Sequence, residues 1–535
     1  MKPGQSIHWD AKQFGMLSPL MQDYLNRKPI TEQFFVRFPN EKSLIEQTRV
    51  KLKSYKNREI LCETLKRQLS FLELSEIQKE NIEKLKLQNT VTITTGHQLN
   101  LFTGPVYFFY KTLQVIQCCK LMNQKYSEYN FVPIFWMATE DHDFEEINHF
   151  YFKGKTYHWD RGTQGAVGRL NLEGIEQVFE NFCKSLPASE RADELKKLFE
   201  EAYLKSNTLT EATQRLIQKL FSDFGLLMVD GDDKALKKLM IPTFEEDLLK
   251  NTAFHKISET NSKLIENGYK TTAHAREINL FYLGDGSIRE RIVLENEQYK
   301  VLNSNFVFSR EEIIRELNER TDRFSPNVIM RPLYQETILP NIAYIGGAGE
   351  SAYWLQLKDF FEAMKIDYPL VIVRNSVLIL THRQRKKLEK LSIDYSELFR
   401  PLHEIINRNV LMNTETEIGF QEYENQLNNI FEEIAKEAVK TDVTFSKMVA
   451  AQHKKQMKGM HQLIKRLGRA ERRRQAERVK KIETLYDELF PQNTLQERIV
   501  NFSEFYLEHG KDFIEKLVDE IKPIDFCFTI RTFDN

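Results

Sequence analysis

Two short stretches hold residue types suited to acid–base and anion chemistry. They are Thr94-Thr95-Gly96-His97-Gln98 and Thr139-Glu140-Asp141-His142-Asp143. A histidine beside a glycine can offer a hydrogen bond where charge develops on a phosphoryl group. Packed carboxylates next to a histidine can hold a substrate ammonium, serve as a general base or bind Mg²⁺. The ammonium or base role is favoured, because no helix shows H-E-x-x-H ligand spacing, and no metal ligand is assigned. A third stretch, Gly347-Ala348-Gly349-Glu350-Ser351-Ala352, fits G-x-G-x-x-A. Its backbone N–H groups could cradle a phosphate or an adenine nucleotide. Taken alone it suggests a nicotinamide-dependent oxidoreductase, but the next strand ends in Arg374-Asn375, where NAD binding wants an acidic residue. Arg331, Gln335 and Glu336 lie just before this loop on a Pro-flanked segment and are expected to face the same crevice.

These stretches need elements to bring them together. Residues 91–95 are a β-branched strand, 95–104 a loop, and Pro105 a first helical residue, with the helix running to about residue 122. Residues 131–139 form a second strand, apolar on both faces, as in a parallel sheet covered by helices. Ligands of such sheets bind at the carboxyl ends of the strands. Neighbouring strands would therefore converge two histidines and three carboxylates on one crevice. His97, between a strand end and a helix start, would sit where unpaired N–H groups favour anions. A strand over 341–345, a loop over 346–349, a helix over 350–364 and a strand over 370–373 make a second unit of the same kind.

Around these units the pattern is mixed. Helical spacing is seen over 44–74 and 77–87, and again from about 175 to 220. Short strands fall at 150–152 and 156–159, with a buried-type strand at 224–229. Over 273–302 the period becomes two, with Gly284-Asp285-Gly286 as a hairpin signal, so a small meander is inserted in the core. Ser309 and Glu312 fit a capping box. Beyond Asn375 come long helices over 383–391, 396–410, 417–439 and 445–489. In the last, Met457, Met460, Ile464 and Leu467 keep heptad spacing, which suggests a protruding antiparallel coiled coil. A helix over 495–509 precedes Gly510, and a final strand over 526–530 is expected to rejoin the core sheet.

The 535 residues exceed one simple core. The division expected is 1–375 as a Rossmann-like core with insertions near 150–220 and 250–320, 376–492 as a helical coiled-coil domain, and 493–535 returning to the core. A formal net charge of −1 argues against a nucleic-acid-coating protein. The N-terminus lacks an apolar signal run and no stretch is long enough to cross a bilayer. The five cysteines form no CxxC pair and are expected to be reduced thiols of a cytoplasmic protein.

The blocks TTGHQ-x-x-x-x-TGP, P-x-FWMATEDHDFEE-x-NH, FSPNV-x-x-RP-x-YQE, AY-x-GG-x-GE-x-AYWLQLK and LQER together resemble the bacillithiol biosynthesis cysteine-adding enzymes. The resemblance spans nearly the whole chain. It implies a Rossmann-type α/β core, a coiled-coil domain and a homodimer, and the burial need of the heptad seam leads to the expectation that the helical domain contributes to the interface. It also implies a ligase of the last biosynthetic step, which joins cysteine to the amino group of glucosaminyl malate. By wider analogy the core is similar to class I nucleotidylyltransferases, of whose H-x-G-H motif this chain keeps the Gly96-His97 half. Amide formation from a carboxylate in water is uphill, so ATP or ADP is the suspected activating partner. The expected catalytic residues are His97, Glu140, Asp141, His142 and Asp143. Substrate or nucleotide contacts are expected from Thr95, Gly96, Gln98, Arg331 and Gln335, and from Gly346, Gly347, Gly349 and Trp354. A non-catalytic scaffold recruiting partners through its coiled coil is the remaining alternative.

Overall fold

Thr90 to Thr95 is β-branched at every position, which stiffens χ1 and suits a strand packed on both faces. In the computed structural model, which describes residues 6–9, 17–162, 165–284, 289–413 and 420–533, this run forms β1, Thr90–His97, buried along its length. Four further parallel strands complete the sheet: β2, Asn130–Met137; β3, Leu227–Asp230; β4, Asn341–Gly346; and β5, Leu370–Val373. Their order is β5-β4-β1-β2-β3, the arrangement of a doubly wound Rossmann sheet. The order reverses between β1 and β4, so the crevice beyond their carboxyl ends is the place where such a sheet takes ligands. Val91 and Ile93 of β1 share a core with Val115, Cys118 and Met122 of the helix Tyr107–Lys125 and with Leu44 and Ile45 of Glu41–Ser54. Buried threonine hydroxyls of β1 are satisfied sideways: Thr94 donates to Asn341 Oδ1 at 2.8 Å and Thr95 to the Ile345 carbonyl at 2.7 Å.

The chain forms two compact units. The first takes Met1–Leu378 and Gln496–Arg531 and holds the parallel sheet. Between β2 and β3 it carries the antiparallel pair His149–Phe152 and Lys155–His158, then helices Ile175–Ser185, Glu190–Phe199 and Leu209–Phe221. Between β3 and β4 lies the expected meander. Its strands are Leu280–Leu283, Arg289–Glu295, Gln298–Val301 and Val307–Phe308, with Phe324–Pro326 returning antiparallel beside the first. Asp285 and Gly286 of the hairpin signal lie outside the described residues. The Ser309 and Glu312 capping box is present and opens Arg310–Glu319.

Several expectations need correction. The first strand extends two residues further, so Gly96 and His97 pair with Trp136 and Met137 inside the sheet. The helix begins at Tyr107, not Pro105, because a tight turn intervenes with Phe102, Thr103 and Gly104 at positive φ of 49°, 69° and 61°. Asn501 holds that turn, donating from Nδ2 to the carbonyls of Phe102 at 2.7 Å and Gly104 at 2.6 Å. His97 is therefore not at a helix N-terminus. The 44–74 stretch is two helices, Glu41–Ser54 and Arg58–Gln68, interrupted at Tyr55. The final strand, Phe528–Thr532, pairs antiparallel with Ser6–Trp9 in a separate small sheet and does not join the parallel one.

The second unit, Ile379–Leu495 with Thr532–Asp534, is built mainly of helices among its described residues, the first of them His382–Leu391. Its helices Phe420–Ala438 and Val443–Arg474 run antiparallel, joined by a short turn. His461 lies 3.1 Å from Glu424. Nearer the connection, His453 pairs with Asn428 at 2.7 Å and stacks on Phe431. The long helix expected over 445–489 breaks at Gln475, which leaves helical geometry (φ −100°, ψ 27°) and donates its side chain to the Val410 carbonyl at 3.1 Å. Ala476–Leu489 continues beyond it. Among the described residues no helix is long and apolar enough to cross a membrane.

Candidate active site

The carboxyl ends of β1, β2 and β4 open into a cavity of about 1100 Å³. Typical small-molecule sites span about 300–1,000 Å³, so there is room here for more than one small substrate. Every side chain that lines it belongs to the first unit. From the end of β1 come Gly96 and His97, with Gln98 just after it; from the segment after β2, Glu140, Asp141 and His142; from the start of the helix Ala348–Trp354 that follows β4, Gly347 and Gly349. The two polar strand ends thus share one crevice.

His97 is buried, 8% exposed, with its ring against Tyr107 and Phe108 at centroid distances of 5.3 and 5.5 Å. Its Nε2 has no hydrogen-bond partner. Burial, reinforced by the charges of Lys111 and Arg374, holds its pKa well below 6.5, so the imidazole is neutral near pH 7. A neutral, unpartnered ring nitrogen at a cavity wall can hydrogen-bond a ligand or a water.

Asp141 accepts from the Gln98 amide at 2.8 Å and from the His142 backbone N–H at 2.7 Å. Burial would raise its pKa, but hydrogen bonds from His142 and Gln98 outweigh it and hold the carboxyl well below its ordinary value. The same Gln98 amide donates to Glu146 at 2.8 Å. His142 is half-exposed, and its Nδ1 lies 2.7 Å from Arg289 Nη1. Arg289 stacks on Phe281 at 4.0 Å and donates to Ser325 at 3.3 Å, which ties the meander to this wall. Glu140 is buried and its Oε1 lies 2.6 Å from Lys237 Nζ. Asp143 is exposed, precedes the short helix Phe144–Ile147 and lies away from the cavity lining.

Cations gather on the opposite side, at the β1/β4 switch. Arg331 begins the helix Arg331–Ile338, places its guanidinium 5.6 Å from the Tyr344 ring and donates to Gln335 at 3.1 Å. Lys111, 1% exposed, rises from Tyr107–Lys125 to within 3.4 Å of Glu350. Arg374 follows β5, faces the Tyr107 ring at 4.9 Å and pairs with Glu497 at 2.8 Å. Glu350 also accepts from the Gly347 N–H at 2.8 Å, so the glycine loop's leading donor is occupied by its own helix's carboxylate.

The remaining expected contacts lie outside the lining. Thr95 and Gly346 are buried strand residues. Gln335 is fully buried behind Arg331, and Trp354 is fully buried with its ring stacked on Tyr344 at 4.5 Å. Lys111, Arg289, Glu350 and Arg374 were not among the expected site residues. Arg374 had a signal, since it sits at a strand's carboxyl end like the two polar stretches of β1 and β2. Among the described residues no group of three or more His, Cys, Asp or Glu is placed to hold a metal ion.

A Rossmann-like sheet with a charged, two-signed cavity at its switch point, joined in sequence to a helical coiled-coil unit, is the class this chain defines. The family model for the bacillithiol biosynthesis BshC N-terminal Rossmann-like domain matches residues 5–375, and that for the BshC C-terminal coiled-coil domain matches 377–533. The chain belongs to the BshC family. It is 46% identical over 519 residues to a protein of Flavobacterium psychrophilum, covering 96% of this chain and 97% of that one. A Flavobacterium johnsoniae protein is 45% identical over 520 residues, covering 97% of this chain and 98% of its own length. A Bacillus cereus protein is 28% identical over 465 residues, covering 84% and 86%. All three bear the name "Putative cysteine ligase BshC".

Proposed function

We propose that the cavity joins the carboxyl group of cysteine to the amino group of glucosaminyl malate, completing bacillithiol, with an adenine nucleotide activating the carboxyl. One observation carries this reading: a single cavity sets Lys111, Arg331 and Arg374 on one side against Asp141 and Glu146 on the other. The reaction needs both signs. Phosphate oxygens of the activating group and the malate carboxylates call for cations, and Arg331 offers a planar fork suited to either. Substrate ammonium groups call for carboxylates that stay ionised, as Asp141 does. The amine nitrogen attacks the activated carbonyl carbon, the C–N bond forms, the C–O bond to the phosphoryl group breaks, and one amine proton passes to a base. His97 lines the cavity with its Nε2 unpartnered, which supports a role for it as hydrogen-bond donor to an oxygen on which negative charge develops.

Incubating the purified protein with cysteine, glucosaminyl malate and ATP should give a nucleotide-dependent thiol product by mass spectrometry. Tight NAD binding without product would overturn the reading. Asp141→Asn keeps the shape and removes a charge. It should weaken binding of the amine substrate about 10–100-fold, as loss of a charge-assisted hydrogen bond does, and leave ATP binding within about 2-fold by calorimetry.

We also infer that two chains pair through the helical unit. The heptad residues Met457, Met460, Ile464 and Leu467 are all only half-buried, while Ile430 and Met448 are 52% and 55% exposed. Closed twofold pairing is the commonest way to cover such a stripe. Light scattering at micromolar concentration should give the mass of two chains; a single-chain mass would refute the pairing.

A further inference from the structure

Behind the acidic stretch lies a buried group of charges to which the chemistry above gives no role. Lys237, 0% exposed, places Nζ 2.6 Å from Glu140 and 2.8 Å from Asp232, and donates to the Asp322 carbonyl at 3.2 Å. Asp232 is gripped on its other side by Arg169, whose Nε and Nη2 donate at 2.6 and 2.8 Å. Arg169 ends the turn Val167–Arg169, and that turn also clips the acidic segment itself. Val167 N–H donates to the Asp141 carbonyl at 2.7 Å, and Gly168 N–H to the Thr139 carbonyl at 2.8 Å. The approach at Gly168 is too close for any side chain, since a Cβ would stand 2.7 Å from Thr139 Cβ. Backbone clips and side-chain charges thus fix one segment in place. Glu140 lines the cavity, and Lys237 approaches its Oε1, which leaves Oε2 as the oxygen open to a ligand.

We propose that Glu140 is the base that takes the amine proton, and that Lys237, braced by Asp232 and Arg169, is the positioning residue that keeps its carboxylate ionised and aimed at the cavity. The inference rests on the amide-forming reading above and names a base for it. When the amine nitrogen forms the C–N bond, the proton it sheds passes to Glu140 Oε2, and the carboxylate becomes a carboxylic acid. Burial pushes the Glu140 pKa up, which strengthens it as an acceptor, and Lys237 opposes that rise. Asp232 acts upward on the same carboxyl and Arg289 downward. Asp232 is itself held at about 2, because Lys237 and Arg169 outweigh its burial. Asp230, at the end of β3 and hydrogen-bonded by Thr139, and the Tyr334 hydroxyl on the Gly231 carbonyl complete the charged and titratable groups around it.

The test measures kcat, KM and the pH profile of product formation for wild type, Glu140→Gln, Lys237→Met and Lys237→Arg. Glu140→Gln should lower kcat about 10²–10⁴-fold with KM changed only a few-fold, the usual scale for loss of a general base. Lys237→Met should lower kcat near neutral pH and move the acidic limb of the profile upward, because Glu140 then ionises at higher pH. Lys237→Arg restores the charge and should return the limb to its wild-type position. If wild type makes no product, the amide-forming reading falls and this inference with it. If wild type is active but Glu140→Gln keeps wild-type kcat, the inference alone falls. It falls equally if Lys237→Met folds and its profile does not move. Should Lys237→Met fail to fold, Glu140→Gln and the Lys237→Arg profile decide.

Discussion

His97→Ala should lower the rate of amide formation about 10²–10³-fold, on the order of 3–4 kcal/mol in the barrier, the scale of losing one donor at a developing oxyanion. The ring is neutral near pH 7 and its Nε2 has no protein partner, so the loss should vary little with pH between about 7 and 9. The same ring also packs on Tyr107 and Phe108, and a cavity left in its place costs stability as well. His97→Phe separates the two effects, since it fills most of the space and removes the nitrogen. It should melt close to wild type and be as slow as the alanine variant. Wild-type rates in His97→Phe, with a lowered melting point in His97→Ala, would make His97 a packing residue and nothing more.

Asp230→Asn should stabilise the protein at pH 8 and change little at pH 4. Burial, then the neighbouring Asp232, push the Asp230 carboxyl up to about 7 from an ordinary 3.8. Below pH 3.8 the group is protonated folded or unfolded. Between about 4 and 7 the unfolded chain sheds its proton while the folded chain keeps it, so stability falls as pH rises. Above about 7 the folded state holds a buried anion at a cost on the order of 4 kcal/mol, because each pH unit between the folded and unfolded values is worth about 1.36 kcal/mol. Asparagine avoids that cost and can keep both hydrogen bonds to Oδ1, from the Thr139 hydroxyl and the Asp232 N–H. Asp247, Glu336 and Glu504 are also pushed up to about 7, so the variant should flatten the pH dependence and not abolish it. Denaturant unfolding at pH 5 and pH 8 checks this; equal destabilisation at both would contradict it.

The strand ends that face the cavity were legible because their signals are local. A β-branched run and an apolar run each stop at a cluster of polar residues, and sheet logic places both clusters on one edge. Arg374 obeys the same rule at the end of β5. Lys111 was hidden because it is the single charged residue between Tyr107 and Cys119, and nothing in that helix shows which side faces a crevice. Arg289 could not be placed at all, since its approach to His142 depends on how the meander folds back over the sheet. Trp354 shows the converse. It sits in a block of family-like residues, yet that block contains both cavity and core positions, and Trp354 is core. The break at Gln475 has no proline or glycine to announce it, and depends on a side-chain contact with Val410 from another helix.

The strand order has a consequence for how the chain is made. β1 lies between β2, which follows it closely in sequence, and β4, which leaves the ribosome far later. Until β4 emerges, one edge of β1 offers unpaired N–H and C=O groups to any other extended segment. The cavity closes later still, because Arg374 and its partner Glu497 are both needed to complete the β5 side. Long-range pairing of this kind folds slowly. A nascent chain of this protein therefore passes through an extended interval with this central strand half-paired, and chaperone demand should concentrate in that window.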